Sequence, residues 1–352
     1  MNRTCVFCFA TLFFQCPVSA EEKLRIAMLY QHPLNAGGWS QSHEQARVDL
    51  DEIYQDKIET TAIENVTPGP DTIRVLTRLS REGYDMIFAT SFGHMNPVAR
   101  VARQFPKVIF EHASGYKRGE NVGNYQIRAS EGRYLSGRLA GAMSKSGRLG
   151  YVGAFPIPEV VRGINAFTLG AKAINPNVTV QVIWINSWSD PSKERDAAGL
   201  LIDAGVDVIT HHTETPSIAI AAERAGVFYV GYQFDRSAFA PTQHLATVEH
   251  NWLPLYQASI NERLADQWQS QDRWMGLEAD ATRLVGLSRD IPGDALADME
   301  KTRAAMIAGE KHIFEGPLVS TDGVQMAAVG EVLAKDTVSK MEWFVDGVLE
   351  NH

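Results

Sequence analysis

Short apolar runs punctuate the chain, each ending in a polar loop that leads into a stretch of helical spacing. The runs Leu24–Leu29, Ile58–Ile63, Val108–Phe110, Arg148–Gly153, Val178–Ile185, Val206–Thr210, Val227–Val230 and Leu245–Val248 read as buried strands. The spacing between them predicts helices over 40–54, 131–143, 164–173, 254–267 and 294–308, with an amphipathic helix from Thr337 to Val348 at the C-terminal end. Asp71 is the expected cap of a further helix. Strands alternating with helices define an α/β chain built on parallel sheets.

One unit of this pattern occurs twice. In Gly205–Asp235 an apolar strand runs into His211-His212-Thr213-Glu214, Thr215-Pro216 starts a helix, Gly226 ends it, and a second strand leads to Gln233 and Asp235. Gly83–Ser114 repeats the design: the same Gly-x-Asp opening, a strand, a polar loop with Ser91, Phe92 and His94, an Asn96-Pro97 helix start, and a second strand entering Glu111 and His112. In both copies the unusual side chains fall just past strand ends, where open α/β sheets bind their ligands. Two copies imply two similar lobes facing one cleft. Trp39, behind the glycines that follow the first strand, Trp188, in Asn186-Ser187-Trp188-Ser189-Asp190-Pro191, and Trp252, after the last strand, stand at equivalent strand ends.

Composition narrows the class. Residues 1–20 read as a cleaved secretory signal: Arg3, the apolar core Cys5–Phe14, and Val18-Ser19-Ala20 before the cut. Cys16 does not suit lipidation, because Phe14-Gln15 precede it and Pro17 follows. All three cysteines lie inside that segment, so the remaining chain has no disulfide, thiolate metal site or cysteine nucleophile. The net charge of −9 becomes −10 once Arg3 leaves, and the cations form no stripe, which argues against a nucleic-acid or anionic-lipid partner. A periplasmic, monomeric protein without a cofactor is expected.

Asn121-Val122, Glu131-Gly132-Arg133-Tyr134-Leu135-Ser136-Gly137, Gly150-Tyr151-Val152-Gly153, Phe167-Thr168-Leu169-Gly170-Ala171, Asn175-Pro176, Ser187-Trp188-Ser189-Asp190-Pro191 and Gly205-Val206-Asp207-Val208-Ile209, in this order, resemble the basic membrane protein family of ABC-importer solute-binding proteins, which includes purine nucleoside receptors. The resemblance implies a type I periplasmic-binding-protein fold: two Rossmann-like lobes, a three-strand hinge and a central cleft. It implies lobe 1 over 21–127 with about 250–305 returning to it, lobe 2 over 128–249 with about 306–352 returning, and an ABC permease as partner. It implies stacking of a purine at Trp39 and Trp188. The family's Gly-x-Asp-x-Asp pattern stands here as Gly231-Tyr232-Gln233-Phe234-Asp235, and its later lysine is replaced around His250, so a free base such as adenine or hypoxanthine is as expected as a nucleoside.

A purine needs flat apolar walls and hydrogen bonds at its edge. Gln233 can donate and accept, while Asp235 and Glu214 can accept from a ring N–H or exocyclic amine. Thr213, Phe92, His94 and Trp252 complete the candidate set. Two alternatives stand beside this reading. The strand-end histidines His94, His112, His211, His212 and His250 would suit a metal-binding or metal-dependent hydrolytic protein, although no H-E-x-x-H helix is present. A binding protein of this kind can also present its closed form to a membrane sensor.

Overall fold

The computed structural model describes residues 22–34 and 38–351; the expected signal segment and residues 35–37 lie outside them. The chain begins with β1 (Leu24–Leu29), α1 (Gly38–Tyr54), β2 (Ile58–Ile63), α2 (Pro70–Arg81), β3 (Met86–Ala89), α3 (Met95–Ala102), β4 (Ile109–Ala113) and β5 (Val122–Ile127). It continues with α4 (Ala129–Met143), β6 (Arg148–Gly153), α5 (Pro158–Lys172), β7 (Thr179–Trp184), α6 (Pro191–Asp203), β8 (Val208–His212), α7 (Ser217–Ala225), β9 (Phe228–Gln233) and β10 (His244–His250). It then runs through α8 (Leu253–Leu264), β11 (Asp272–Met275), β12 (Thr282–Val285), α9 (Gly293–Ile307), β13 (Leu318–Val319), β14 (Gln325–Ala327), α10 (Lys335–Ser339) and β15 (Val348–Asn351).

These strands form two sheets and one hairpin. The first sheet has the order β2-β1-β3-β4-β5-β11, all parallel. The second has the order β15-β7-β6-β8-β9-β10-β12, parallel except for the β10–β12 pair. Its five central strands, counted within their own lobe, repeat the 2-1-3-4-5 order of the first sheet. Each sheet therefore has its topological switch point between its own first and third strands, β1/β3 and β6/β8. β3 is buried along its whole length and is an unbroken apolar run, whereas β8, equally buried, ends in Thr210, His211 and His212.

The sequence repeat is the third-strand unit of each lobe, β3-α3-β4 and β8-α7-β9. Its Gly-x-Asp opening has the same task in both. Gly83 and Gly205 adopt left-handed φ values of 82° and 84°, which reverse the chain after a helix at no cost to a residue without Cβ. The aspartates then brace the neighbouring first strand or the turn that leads into it: Asp85 accepts from the Arg25 N–H of β1 at 2.8 Å, and Asp207 from the Lys145 and Ser146 N–H groups ahead of β6 at 2.7 Å.

The chain crosses between sheets three times, at Ile127–Ala129, His250–Leu253 and Met275–Thr282. This is the three-strand hinge. Its third crossing corrects the expected lobe boundary. Only α8 and β11 return to the first sheet; β12 pairs with β10 in the second, and α9 packs on α4, so the return ends near Met275 rather than 305. The expected helix over Thr337–Val348 also fails. α10 stops at Ser339, because buried Asn165 takes the following backbone, donating to Trp343 O at 2.8 Å and accepting from Val345 N–H at 3.0 Å. β15 then completes the sheet edge beside β7. Asp71 is not a cap either: Gly69 holds that position, and Asp71 in the first turn accepts from Thr67 N–H at 3.1 Å and pairs with Arg74. α7 starts one residue later than expected, with Thr215 Oγ1 accepting from Ser217 N–H at 3.3 Å.

Candidate ligand-binding site

The two switch points face each other across the cleft, and the loops leaving their strands line a narrow, partly open space between the lobes. From the first lobe come Gln31 after β1, Trp39 at the start of α1, Ser91 and Phe92 after β3, and Ser114 after β4. From the second come Ile157 and Glu159 after β6, Trp188 after β7, His212 and Glu214 at and after β8, and Gln233 at the end of β9. The lobes meet at its rim. A Cβ on Gly38, which has φ 69°, would stand 3.1 Å from the Glu214 Cα and 2.5 Å from Arg236 Nη2.

The walls are aromatic. The Trp39 indole N–H donates to Thr90 O, which fixes the ring to the end of β3. Trp188 packs on Phe155 at 5.1 Å and on His212 at 6.1 Å. Its carbonyl accepts from Glu214 N–H at 2.9 Å, tying two cleft loops together.

Four polar side chains of the cleft carry buried atoms with no hydrogen-bond partner in the protein: Ser114 Oγ, Gln233 Oε1, Glu214 Oε2 and His212 Nδ1. Gln233 sits at φ 71°, a left-handed turn at the strand end. Burial pushes the Glu214 carboxyl up to about 8, against a smaller opposing pull from the Arg236 guanidinium and with some help from Glu194. At neutral pH Glu214 therefore keeps its proton and can both donate and accept. Burial likewise raises Glu194 to about 7; its carboxyl accepts from Thr215 Oγ1 at 2.6 Å. Burial lowers the pKa of His212, with Arg133 adding to the effect, so the ring is neutral.

These two acids set a pH dependence. The unfolded chain releases each proton near 4.5, whereas the folded chain holds them to about 8 and about 7. Between those limits these two acids bind more protons in the folded chain, a contribution to stability that falls as pH rises. The buried histidines act the other way below about 6.5, because burial lowers His94 to about 4 and His112 and His250 to about 3 in the folded chain. Thermal unfolding is therefore expected to show the fall due to the acids above about 6.5 and up to about 8, and Glu214→Gln is expected to flatten it between about 7 and 8. A wild-type profile that is flat from about 7 to about 8 would contradict the assignment.

The structure brings together Trp39, Trp188, Phe92, Glu214 and Gln233 and leaves out four other expected residues. Asp235 is exposed outside the cleft, where it accepts from Ser237 N–H at 2.8 Å and stands 3.9 Å from His244. Trp252 is 1% exposed in the core, stacked on His43 at 4.0 Å with its indole donating to Ser42 Oγ at 2.9 Å. His94 is buried against the Val66 carbonyl at 2.8 Å, and burial drops its pKa to about 4. Thr213 lies behind the wall, 3.2 Å from His211 Nδ1. Of the strand-end histidines, His212 lines the cleft, while His112 contacts Ser91 O at 2.8 Å and His211 contacts Tyr229 Oη at 2.7 Å in the interior. Among the described residues no three His, Cys, Asp or Glu side chains are grouped to hold a metal ion.

Gln31, Ser114, Ile157, Glu159 and His212 line the cleft without having been singled out for it, and Arg236 supports it. Arg236 is 2% exposed and donates to the Glu214 carbonyl. Its neighbour in sequence, Asp235, drew the attention. The strand order is the signal that finds the first group, since Gln31, Ile157, Glu159 and His212 all flank a switch point.

A family model described as "ABC transporter substrate-binding protein PnrA-like", that of the Bmp family, matches residues 23–313. The chain belongs to the Bmp family. It is 43% identical over 329 residues to a protein of Brucella abortus named a purine-binding protein, covering 94% of each chain. It is 36% identical over 298 residues to a putative ABC transporter glucose-binding protein, TsgA13, of Haloferax volcanii, covering 85% of this chain and 76% of that one. Among solved structures, an ABC transporter solute-binding protein of Aeropyrum pernix superposes with a TM-score of 0.71 at 17% identity, covering 90% of this chain and 95% of that one. The Bmp chain thus has the type I periplasmic-binding-protein fold, and its family is one of ABC transporter substrate-binding proteins. The metal-dependent alternative finds no support in these likenesses.

Proposed function

We propose that this Bmp-family protein binds a purine, as base or nucleoside, between its lobes and delivers it to an ABC permease from the periplasmic side. The observation that carries this reading is the pairing of flat aromatic walls with a short polar edge. Trp39, Phe92 and Trp188 supply the walls, and Gln233, Glu214 and His212 offer partnerless polar atoms beside them. A purine has two apolar faces and a rim of alternating donors and acceptors, which suits an amide, a protonated carboxyl and a neutral imidazole. The Brucella relative's name points the same way. Closure then follows from ligand bridging the two lobes about the three crossings.

Tryptophan fluorescence tests this, since two indoles line the cleft. Adenine or hypoxanthine is expected to give a saturable change and glucose none. Saturation by glucose without any response to purines would overturn the proposal.

A further inference from the structure

The lobes also touch away from the ligand cleft, at a tryptophan that the binding site does not use. Trp274 stands near the end of β11, just before the third crossing. Its backbone belongs to the hinge, since its carbonyl accepts from Arg128 Nη1 of the first crossing at 2.8 Å. Its ring leaves the first lobe and lies against two cations of the second, Arg162 at 4.9 Å and Lys335 at 5.1 Å. Trp274 and Arg162 line the same inter-lobe space as Ser114 and Glu159, which also line the ligand cleft.

Arg162 makes the stronger of the two contacts. It is 3% exposed, and its guanidinium donates to neutral backbone carbonyls, Val338 O at 3.3 Å and Pro158 O at 3.5 Å. A cation over an indole face gains most where water is excluded in this way. Arg162 also lies one turn beyond Ile157 and Glu159 of the cleft wall, so its contact with Trp274 sets where the start of α5 stands against the first lobe.

Lys335 adds a second tie from the C-terminal segment. That segment is anchored on the second lobe, where Asn165 holds Trp343 and Val345 and β15 pairs with β7. From there the Lys335 ammonium reaches Asp272 of β11, 3.0 Å from its carboxylate and 3.2 Å from its carbonyl oxygen. The Trp274 indole N–H donates to the same carboxylate at 3.2 Å, which joins the ring to the ion pair. The pair is half exposed and weak by itself. When the lobes rotate apart about the crossings, β11 goes with the first lobe, and α5 and the C-terminal segment go with the second, so both contacts part.

We infer that Trp274, with Arg162 and Lys335 facing it, is a latch that favours the closed arrangement of the lobes and slows the release of bound ligand. Trp274 does not line the ligand cleft; it is a positioning residue that acts on affinity through closure. The latch needs the two lobes to close on a ligand, whatever that ligand is. Small-angle X-ray scattering of the ligand-free full chain and stopped-flow release of adenine test it together. Trp274→Ala is expected to raise the radius of gyration above that of the wild type and to weaken adenine binding about tenfold, mostly as faster release. Trp274→Phe keeps an aromatic face and is expected to restore most of both, and Lys335→Ala to have a smaller effect. An unchanged radius and release rate in Trp274→Ala would overturn the latch. Equal losses in Trp274→Phe and Trp274→Ala, with melting temperatures lowered alike, would overturn it in favour of simple packing. A chain that does not bind adenine would count against the purine reading, and the scattering comparison would still decide the latch.

Discussion

Trp188→Ala is expected to weaken purine binding at least about thirtyfold, or ~2 kcal/mol, with the fold intact. Trp188 stands on the loop after β7, half-buried at the edge of the core, so its removal costs less packing than that of a fully buried tryptophan. What it removes is one wall of the cleft. An indole against a flat ring contributes buried area and an additional ~1 kcal/mol from aromatic geometry. The ring is also held ready: Phe155 and His212 pack beside it, and its carbonyl is bonded to Glu214. Little freedom remains to be lost on binding, so most of the contact appears as affinity. Calorimetry reads the effect without relying on the deleted fluorophore. An unchanged affinity would take Trp188 out of the ligand site.

The largest expected effect on stability lies away from the cleft. α4 and α5 pack closely because glycines face backbone at their contact. A Cβ at Gly170 would sit 2.0 Å from the Tyr134 carbonyl oxygen, and one at Gly137 would sit 2.1 Å from that of Phe167. Backbone cannot rotate aside as a side chain can. Gly170→Val is therefore expected to destabilise the protein by about 3 kcal/mol or more, at the upper end of overpacking. Gly199→Ala in α6 is the matched control. Its Cβ meets nothing within 4 Å, so it is expected to gain about 0.5–1 kcal/mol from helix propensity. Urea unfolding measures both. A mild effect of Gly170→Val would mean that the helices can separate at little cost.

Much of the fold was legible because parallel strands buried on both faces leave an apolar run that no other element imitates at that length. The repeat was legible because Gly83-x-Asp85 and Gly205-x-Asp207 meet the same need, a left-handed turn followed by a brace on the neighbouring strand. The C-terminal segment was not. Its amphipathic pattern satisfies a helix locally, but the capture of 343–345 by Asn165 depends on a residue far away in sequence. In the site, a strand-end position identified Trp39, Phe92, Trp188, Glu214 and Gln233. It did not give the direction of each side chain. Past the left-handed Gln233 the chain turns Asp235 outward and Arg236 inward, so the buried partner of Glu214 is the cation and not the acid. Trp252 likewise follows a strand yet points into the core, where Ser42 takes its indole N–H. Glu159 was hidden because the predicted helix began at Ile164, whereas α5 starts at Pro158 and places Glu159 in its first turn.

The central claim is that the cleft between the two switch points holds a purine. Mass spectrometry of the small molecules released when the freshly purified mature protein is denatured tests it most directly. A purine, as base or nucleoside, is expected in near-stoichiometric amount. Release of a hexose, with no purine, would contradict it.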